Sequence, residues 1–338
     1  MKIIFSMLIF CVVLFLYLHI FFHLKTSNDL EIYEIEQPSK DKLEEICDLR
    51  QPVRFNYQSD NIVSTCNKQS VLDTYGAFDV KIRNVKSLDD NELYIPLAFN
   101  SAVKVINEDK ENKYLVESNK DFLEETSLIK SYRYNDGFFR PFMVSNCDYD
   151  YVFASEGTQT PLRYEVNYRN YIMVIDGSIK VKLAPPKSSK YLYEDKDYEN
   201  FEFRSPLNPW NIQQQYKPDF DKIKMLEVIV PKGQILFIPA YWWYSIEFSK
   251  GTTLISLKYN TYMNTISIIP RLLMRFLQTQ NIKREFVQKI DINKPGISVS
   301  DNIDTKNISE HATENATVDA TVDATVDATV DATDKKKS

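Results

Sequence analysis

The chain has 338 residues, of which 43% are hydrophobic and 26% charged, so it can bury a sizeable core, and its seven glycines argue against a glycine-rich phosphate loop. Its three histidines, His19, His23 and His311, lie outside the part predicted to fold, which removes imidazole as a metal ligand or general base in that part. The net charge is −6, but nine acids and four lysines put −5 of it into residues 301–338, and the near-neutral remainder lacks the basic surface of a nucleic-acid-binding protein.

Residues 3–24 form the first predicted element, a membrane-spanning helix. The run is almost wholly apolar, and at about 1.5 Å per residue it crosses a hydrocarbon core of ~30 Å. A cleaved signal peptide is the alternative, but its apolar core is about 7–15 residues long and ends in small residues. This run is longer and ends in His19-Ile20-Phe21-Phe22-His23-Leu24. We therefore predict an uncleaved single-pass anchor.

Two kinds of short signal bear on which side of the membrane the body lies, and they disagree. The sequons Asn307-Ile308-Ser309 and Asn315-Ala316-Thr317, together with a very short N-terminal flank, favour a lumenal or external body. The final Lys335-Lys336-Lys337-Ser338 fits a dilysine retrieval signal, which works on a cytosolic tail. We carry the lumenal or external interpretation forward.

The body after the anchor is predicted to be mainly β. Residues 25–69 are interpreted as a stalk and lead-in, and residues 70–292 as the folded domain. Several short runs alternate or are wholly apolar and are separated by turn residues, which is typical of a sandwich or barrel. The clearest runs are Phe78–Ile82, Tyr171–Ile175, Ile179–Leu183, Met225–Val230, Ile235–Ile238, Trp242–Phe248 and Thr252–Tyr259.

A helix is predicted after these strands, followed by a tail. Pro270 suits a helix start, and an apolar stripe at helical spacing follows it, made of Leu273, Phe276, Leu277, Phe286, Val287 and Ile290. We interpret the stripe as packing against the domain, with homodimerisation through residues 270–290 as the alternative. Residues 293–338 include four Thr-Val-Asp-Ala repeats and are predicted to be a disordered acidic tail, because such residues bury too little apolar area.

Two motifs give a more specific indication. The first is Glu156-Gly157-Thr158-Gln159-Thr160-Pro161-Leu162-Arg163-Tyr164-Glu165, followed by Gly177 and by Leu183-Ala184-Pro185-Pro186. The second runs from Val230-Pro231-Lys232-Gly233 through Phe237-Ile238-Pro239-Ala240-Tyr241-Trp242-Trp243-Tyr244. In order and spacing they resemble the JmjC-type cupin family, in the cupin-like branch that includes protein hydroxylases.

The resemblance implies a double-stranded β-helix, or jelly roll, that holds Fe(II) and 2-oxoglutarate. Iron is bound there by two histidines and one carboxylate. This chain departs from that set, because the two histidine positions carry Arg163 and Tyr244 and the aspartate position carries Glu165. The lysine position for the cosubstrate carries Ile179, with Lys180 on the opposite face, and a position often asparagine carries Lys258. Thr160 is retained from the cosubstrate set.

These exchanges predict a pocket that has lost its oxygenase chemistry. A guanidinium has no lone pair to donate to iron, and a protonated phenol is a poor ligand. Arg163 and Glu165 are two residues apart on one strand, so we expect them to share the inward face and to neutralise each other. We expect no bound metal and no cofactor.

Three functions remain open from the sequence. The leading one is an inactive, membrane-anchored binding module that holds a peptide or protein in the groove, or an anionic small molecule on Arg163 and Lys258. The second is an atypical Fe(II)/2-oxoglutarate hydroxylase whose metal ligands come from elsewhere. The third is a structural membrane or virion protein with the tail as a solvated brush.

Overall fold

The computed structural model describes residues 2–57, 60–86 and 94–284. The predicted tail and the stripe residues Phe286, Val287 and Ile290 lie outside these ranges, as do both glycosylation sequons.

Ten α-helices and fifteen strands are described in these ranges. The helices are α1 (Lys2–Leu24), α2 (Lys40–Cys47), α3 (Asp60–Cys66), α4 (Lys68–Tyr75), α5 (Phe99–Glu108), α6 (Lys120–Glu125), α7 (Leu128–Asn135), α8 (Lys217–Phe220), α9 (Tyr262–Ser267) and α10 (Ile269–Arg284). The strands of the first half are β1 (Tyr33–Ile35), β2 (Val53–Asn56), β3 (Asp79–Asn84), β4 (Ile95–Ala98), β5 (Tyr114–Val116), β6 (Val144–Ala154), β7 (Leu162–Tyr164), β8 (Arg169–Asp176) and β9 (Ser178–Ala184). The remaining strands are β10 (Asp195–Asp197), β11 (Glu202–Ser205), β12 (Leu226–Pro231), β13 (Gln234–Phe237), β14 (Trp243–Phe248) and β15 (Thr253–Thr261).

Eight of the strands form the predicted jelly roll. The larger sheet has the order β1-β2-β13-β8-β15-β6-β5-β3-β4, and the smaller has β10-β11-β7-β14-β9-β12. From β6 to β9 the chain alternates between the sheets strand by strand, and β12 to β15 alternate again, so that β6, β8, β13 and β15 face β7, β9, β12 and β14. This order confirms the fold expected from the two motifs. The sheets stay open and do not close into a barrel.

The space between the two sheets is an apolar core. It contains Val174 and Leu254 from the larger sheet and Val181 and Ile246 from the smaller. Trp242 belongs to this core, and its Nε1 donates to the Arg50 carbonyl at 3.1 Å. The next residue, Trp243, points to the opposite side, where Nε1 donates to Ser189 Oγ at 2.7 Å. The paired tryptophans therefore pack on opposite faces of the smaller sheet, at the start of β14.

Helices α2 to α7 cover the outer face of the larger sheet, and this corrects the boundary predicted for the domain. Leu43, Cys47, Phe55 and Cys66 are buried in the core under these helices. Strand β2 pairs with β13 inside the larger sheet, and β1 runs parallel to β2. The segment 25–69 is thus not a stalk, because its apolar residues complete the sheet and its covering layer.

Helix α1 ends against the domain. It is long and apolar enough to cross a membrane. Its last turn packs on α9, where His23 is buried and its Nε2 lies 3.3 Å from Thr261 Oγ1. The Arg50 guanidinium lies 5.1 Å from the Phe22 ring centre and 4.7 Å from that of Tyr168. After the helix, Asn28 Oδ1 accepts from the Lys187 N–H at 2.8 Å. The link between α1 and the domain is therefore folded onto it.

Helix α10 corrects a second expectation. Its predicted apolar stripe does not pack on the domain, because Leu273, Phe276 and Leu277 are 56%, 60% and 59% exposed. The side that contacts the domain carries Leu272 and two arginines, whose contacts with aromatic rings are described below. Helical spacing reveals that a stripe exists, but it does not say which side the domain covers.

Candidate functional site

The structure brings four of the predicted site residues together between the sheets. Arg163 lies on β7 directly opposite Tyr244 on β14, both in the smaller sheet. Glu165 follows β7, and Lys258 reaches it from β15 of the larger sheet. Strand alternation explains the grouping, because Arg163 and Glu165 are two residues apart and face the same side.

Glu165 has two close partners. Its Oε1 accepts a hydrogen bond from Lys258 Nζ at 2.7 Å and another from the Tyr244 hydroxyl at 3.0 Å. The side chains of Glu165 and Lys258 are 18% and 24% exposed, so water reaches the pair only partly. Burial would raise the pKa of this carboxyl, but the positive charges of Lys258 and then Arg163 outweigh it and hold the pKa below its usual range.

Arg163 is paired with acids other than Glu165, which corrects the expected Arg163–Glu165 neutralisation. Its guanidinium forms a two-point contact with Glu117, at 2.8 Å to Oε2 and 3.2 Å to Oε1. Its Nη1 also donates to Glu202 Oε1 at 3.1 Å. Arg83 contacts Glu117 as well and lies 3.6 Å from Glu202. Each sheet thus contributes one arginine and one glutamate, and these four side chains form ion pairs across the interface between the sheets.

We call this group the ionic clamp. It consists of Arg83, Glu117, Arg163, Glu165, Glu202 and Lys258, with the Tyr244 hydroxyl. Glu117 follows β5, and Arg83 and Lys258 also belong to the larger sheet, whereas the other members come from the smaller one. Its three positive and three negative groups balance, so the clamp joins the sheets without a net charge.

Protonation in the clamp is set by these contacts. Burial opposes ionisation of Glu117, yet the charges of Arg163 and Arg83 lower its pKa to about 2. Burial and then the charge of Glu165 raise the pKa of Tyr244 to about 12. Burial alone would lower the pKa of Lys258, but the negative charge of Glu165 raises it. At neutral pH Glu117 and Glu165 are therefore charged and the Tyr244 phenol is protonated, which leaves these three groups unsuited to proton transfer.

The clamp does not offer the ligands that Fe(II) requires. Of the three family ligand positions, Arg163 cannot donate a lone pair, Tyr244 keeps its proton, and Glu165 is already held by Lys258. In the part of the chain that the structure describes, no three His, Cys, Asp or Glu side chains come together as a metal site. Lys258 and Arg163 also already have carboxylate partners, so neither presents an unmatched charge to an anionic small molecule.

The two other predicted positions have structural contacts. Thr160 is 3% exposed, and its Oγ1 accepts from the Ile246 N–H at 2.9 Å, so it ties its loop to β14. Ile179 is fully buried in the core between the sheets. Lys180 lies on the other face of β9, half exposed, with Nζ 3.4 Å from Glu247. The structure therefore does not bring Ile179 or Lys180 into the clamp.

Sequence reasoning missed three members of the clamp, Arg83, Glu117 and Glu202. Each is a charged residue in a strand or just after one, in no recognisable motif. Their sequence positions are 39 to 80 residues from Arg163, as the numbering shows. Only the pairing of the sheets brings them to it.

Comparison with known proteins agrees with this architecture. Residues 56–265 match the family described as "Cupin-like domain". The chain is 30% identical to HSPB1-associated protein 1 of Rattus norvegicus over 95 residues, or 28% of this chain and 20% of that protein. The same protein of Homo sapiens gives the same figures. JmjC domain-containing protein D of Dictyostelium discoideum is 32% identical over 92 residues, or 27% of this chain. The matched stretch spans about a fifth of each relative's length.

Proposed function

Because the chain belongs to the cupin-like domain family, we propose that it keeps the jelly roll of that family and uses it for binding, without oxygenase chemistry. The observation that carries this proposal is the position of Lys258 on Glu165. The family's one remaining ligand carboxylate is neutralised by a cation of the protein itself, at 2.7 Å. A metal ion would have to displace that lysine and would find no second donor among Arg163 and Tyr244.

We further propose that the protein is a single-pass membrane protein with its domain on the lumenal or external side. Helix α1 has 23 residues and a mean hydropathy of 2.7 over its most apolar window. Its buried contacts with α9 and with Tyr168 support retention of the helix in the mature protein, because cleavage would expose these surfaces. The domain is then held next to the bilayer.

The partner we propose is a peptide or protein at the partly open edge of the ionic clamp. The clamp is charge-balanced, so it suits a ligand that offers both hydrogen-bond donors and acceptors better than a dianion such as 2-oxoglutarate. Arg163, Glu202 and Glu165 keep 15–18% of their side-chain surface exposed and supply such groups.

The first experiment measures Fe(II) and 2-oxoglutarate binding to the full chain in detergent without oxygen, by calorimetry and metal analysis. We expect neither ligand to bind stoichiometrically. A Lys258→Asn variant serves as the matched comparison, because it frees Glu165 without restoring any histidine, and it too should stay metal-free. One iron per chain in the unchanged protein, with consumption of 2-oxoglutarate, would establish the atypical hydroxylase instead.

A second experiment separates binding from a purely structural role. Proteins that co-purify with the full chain from its native membrane are quantified for the unchanged protein, for Arg163→Ala and for the control Lys180→Ala. Binding at the clamp predicts that Arg163→Ala loses specific partners and that Lys180→Ala retains them, once circular dichroism has shown that both variants fold. Equal partner sets for all three would contradict binding at the clamp.

A further inference from the structure

Helix α10 exposes an apolar side and places two arginines beside Leu272 against aromatic rings of the domain. Arg271 faces the domain, with its guanidinium 4.8 Å from the Tyr241 ring centre and 5.3 Å from that of Phe203. One turn on, Arg275 lies 5.3 Å from the Phe201 ring centre. The opposite side is apolar and exposed, and it consists of Leu273, Met274, Phe276 and Leu277, 47–60% exposed.

An apolar stripe of this kind indicates that something covers it. A helix on a water-facing surface turns its apolar side toward the core and its charges outward. Here the arginines are satisfied by aromatic faces of the domain, so this orientation is built into the packing. Contiguous exposed apolar surface marks a contact with protein or with membrane.

The position of α10 indicates what contacts its exposed apolar side. Its first turn, with Pro270 and Arg271, lines a groove of about 490 Å³ together with Leu24 and Thr26, where α1 ends. Helix α10 therefore begins next to the point at which the proposed membrane helix reaches the domain, and its apolar residues follow within the next two turns.

A second apolar group lies on another side of α1. Phe142, Met143 and Tyr262 are 82%, 54% and 56% exposed. They line a groove of about 480 Å³ with Leu18 and Phe22 of α1. Met143 has a left-handed backbone with φ of 54°, which is costly for a residue other than glycine, and its carbonyl accepts from the Tyr262 N–H at 3.2 Å. The backbone is thus held so that this loop projects its apolar side chains.

We propose that the outward side of α10 and the Phe142–Met143 loop lie in the interface of the lipid bilayer that α1 crosses, so that the domain docks on the membrane surface. This inference rests on the proposed anchoring by α1. A bilayer accounts for both groups together, because the start of α10 and the Phe142–Met143 loop both lie beside the last turns of α1, near the lipid surface that the anchored helix would leave. A second copy of the chain would have to cover the same apolar side while leaving room for the lipid around α1.

The test places a fluorescent label at single cysteines in the full chain, reconstituted in phosphatidylcholine vesicles. The label is attached to Leu277→Cys and, separately, to Phe142→Cys, in a background with Cys11→Ser and Cys147→Ser; Cys47 and Cys66 are fully buried. Lys250→Cys is the control, since it lies in the turn before β15, at the opposite end of a nine-residue strand from Tyr262, roughly 30 Å away. Brominated lipid and aqueous iodide are the two quenchers.

We expect brominated lipid to quench the labels at 277 and 142 several-fold more than the label at 250, and iodide to show the reverse order. Iodide quenching equal to that at 250, in protein that floats with the vesicles, would overturn the docking and leave the anchoring intact. Protection from both quenchers together with chain-to-chain cross-linking at 277 would show a homodimer and also overturn it. Failure of the chain to float with the vesicles would overturn the anchoring itself and the docking with it.

Discussion

Lys258 and Glu165 form an ion pair between the two sheets, with Lys258 Nζ 2.7 Å from Glu165 Oε1. Glu165 stands at a position where the resemblance to JmjC-type cupins implies a metal ligand, and here it contacts a lysine side chain directly. The ion pair contributes to cohesion between the sheets, and its consequences for stability are measurable.

Lys258→Met should lower the free energy of unfolding by about 2 kcal/mol, because it leaves the Glu165 carboxylate in a largely dry site with the Tyr244 hydroxyl and a more distant arginine. The full chain in detergent is unfolded with urea to measure this. Lys180→Met is the matched control, since its pair with Glu247 spans 3.4 Å and Lys180 is 46% exposed. The control should change stability by less than about 0.5 kcal/mol. Equal losses of stability in Lys258→Met and Lys180→Met would contradict a special role for the clamp.

Tyr244→Phe should lower the free energy of unfolding by about 1 kcal/mol, because one hydrogen bond to Glu165 disappears while Lys258 stays. The double variant with Lys258→Met should lose more than the sum of the two single losses, since Glu165 would then lose both direct partners. The same urea measurement on all four proteins gives this double-mutant cycle. Strict additivity would show that the two contacts act independently.

Glu117 should make stability depend on acid pH. Its pKa falls from an ordinary value of 4.5 to about 2 in the folded protein, so the folded state binds this proton less readily than the unfolded state. The stabilisation is present above pH 4.5 and is lost as the pH falls toward 2, and it is on the order of 3 kcal/mol. Glu117→Gln should therefore be less stable at neutral pH and show a flatter decline between pH 4.5 and 2. Glu111→Gln, at a side chain that is 71% exposed, should keep the slope of the unchanged protein.

Gly177→Ala should be more damaging than Gly251→Ala, although both glycines have φ near +70°. A methyl group at Gly177 would come within 2.8 Å of the Thr252 Cα and closer still to its hydroxyl, which donates to the Ser178 carbonyl. At Gly251 nothing lies within 4 Å. We expect a loss of about 3 kcal/mol or more for Gly177 and about 1 kcal/mol for Gly251, in thermal unfolding. Similar losses of stability in the two variants would show that backbone strain alone determines the cost of the substitution.

The strands of the jelly roll were predictable because their apolar side chains recur every second residue or in short continuous runs, and because the two motifs fix their register. Tyr171–Ile175 and Ile235–Ile238, for example, form β8 and β13. The same register placed Arg163, Glu165 and Tyr244 around one point. Strand β2 was not predicted, since a short run within a charged segment becomes a strand here only by pairing with β13 and β1.

The partners within the clamp were not predictable, because a charge carries no information about which distant charge will face it. Glu117 reaches Arg163 only through the packing of β5 against the smaller sheet. The predicted orientation of α10 was wrong for a related reason. Arginine can pack on aromatic rings, so Arg271 and Arg275 did not mark the water-facing side as charged residues usually do.

The close seating of α1 has a mechanical consequence. His23 contacts Thr261 at the end of β15, and Arg50 packs on Phe22 just before β2, so a force on α1 would enter the larger sheet at two strands. In the proposed membrane-anchored protein, a tilt of α1 in the bilayer would therefore turn the domain with it.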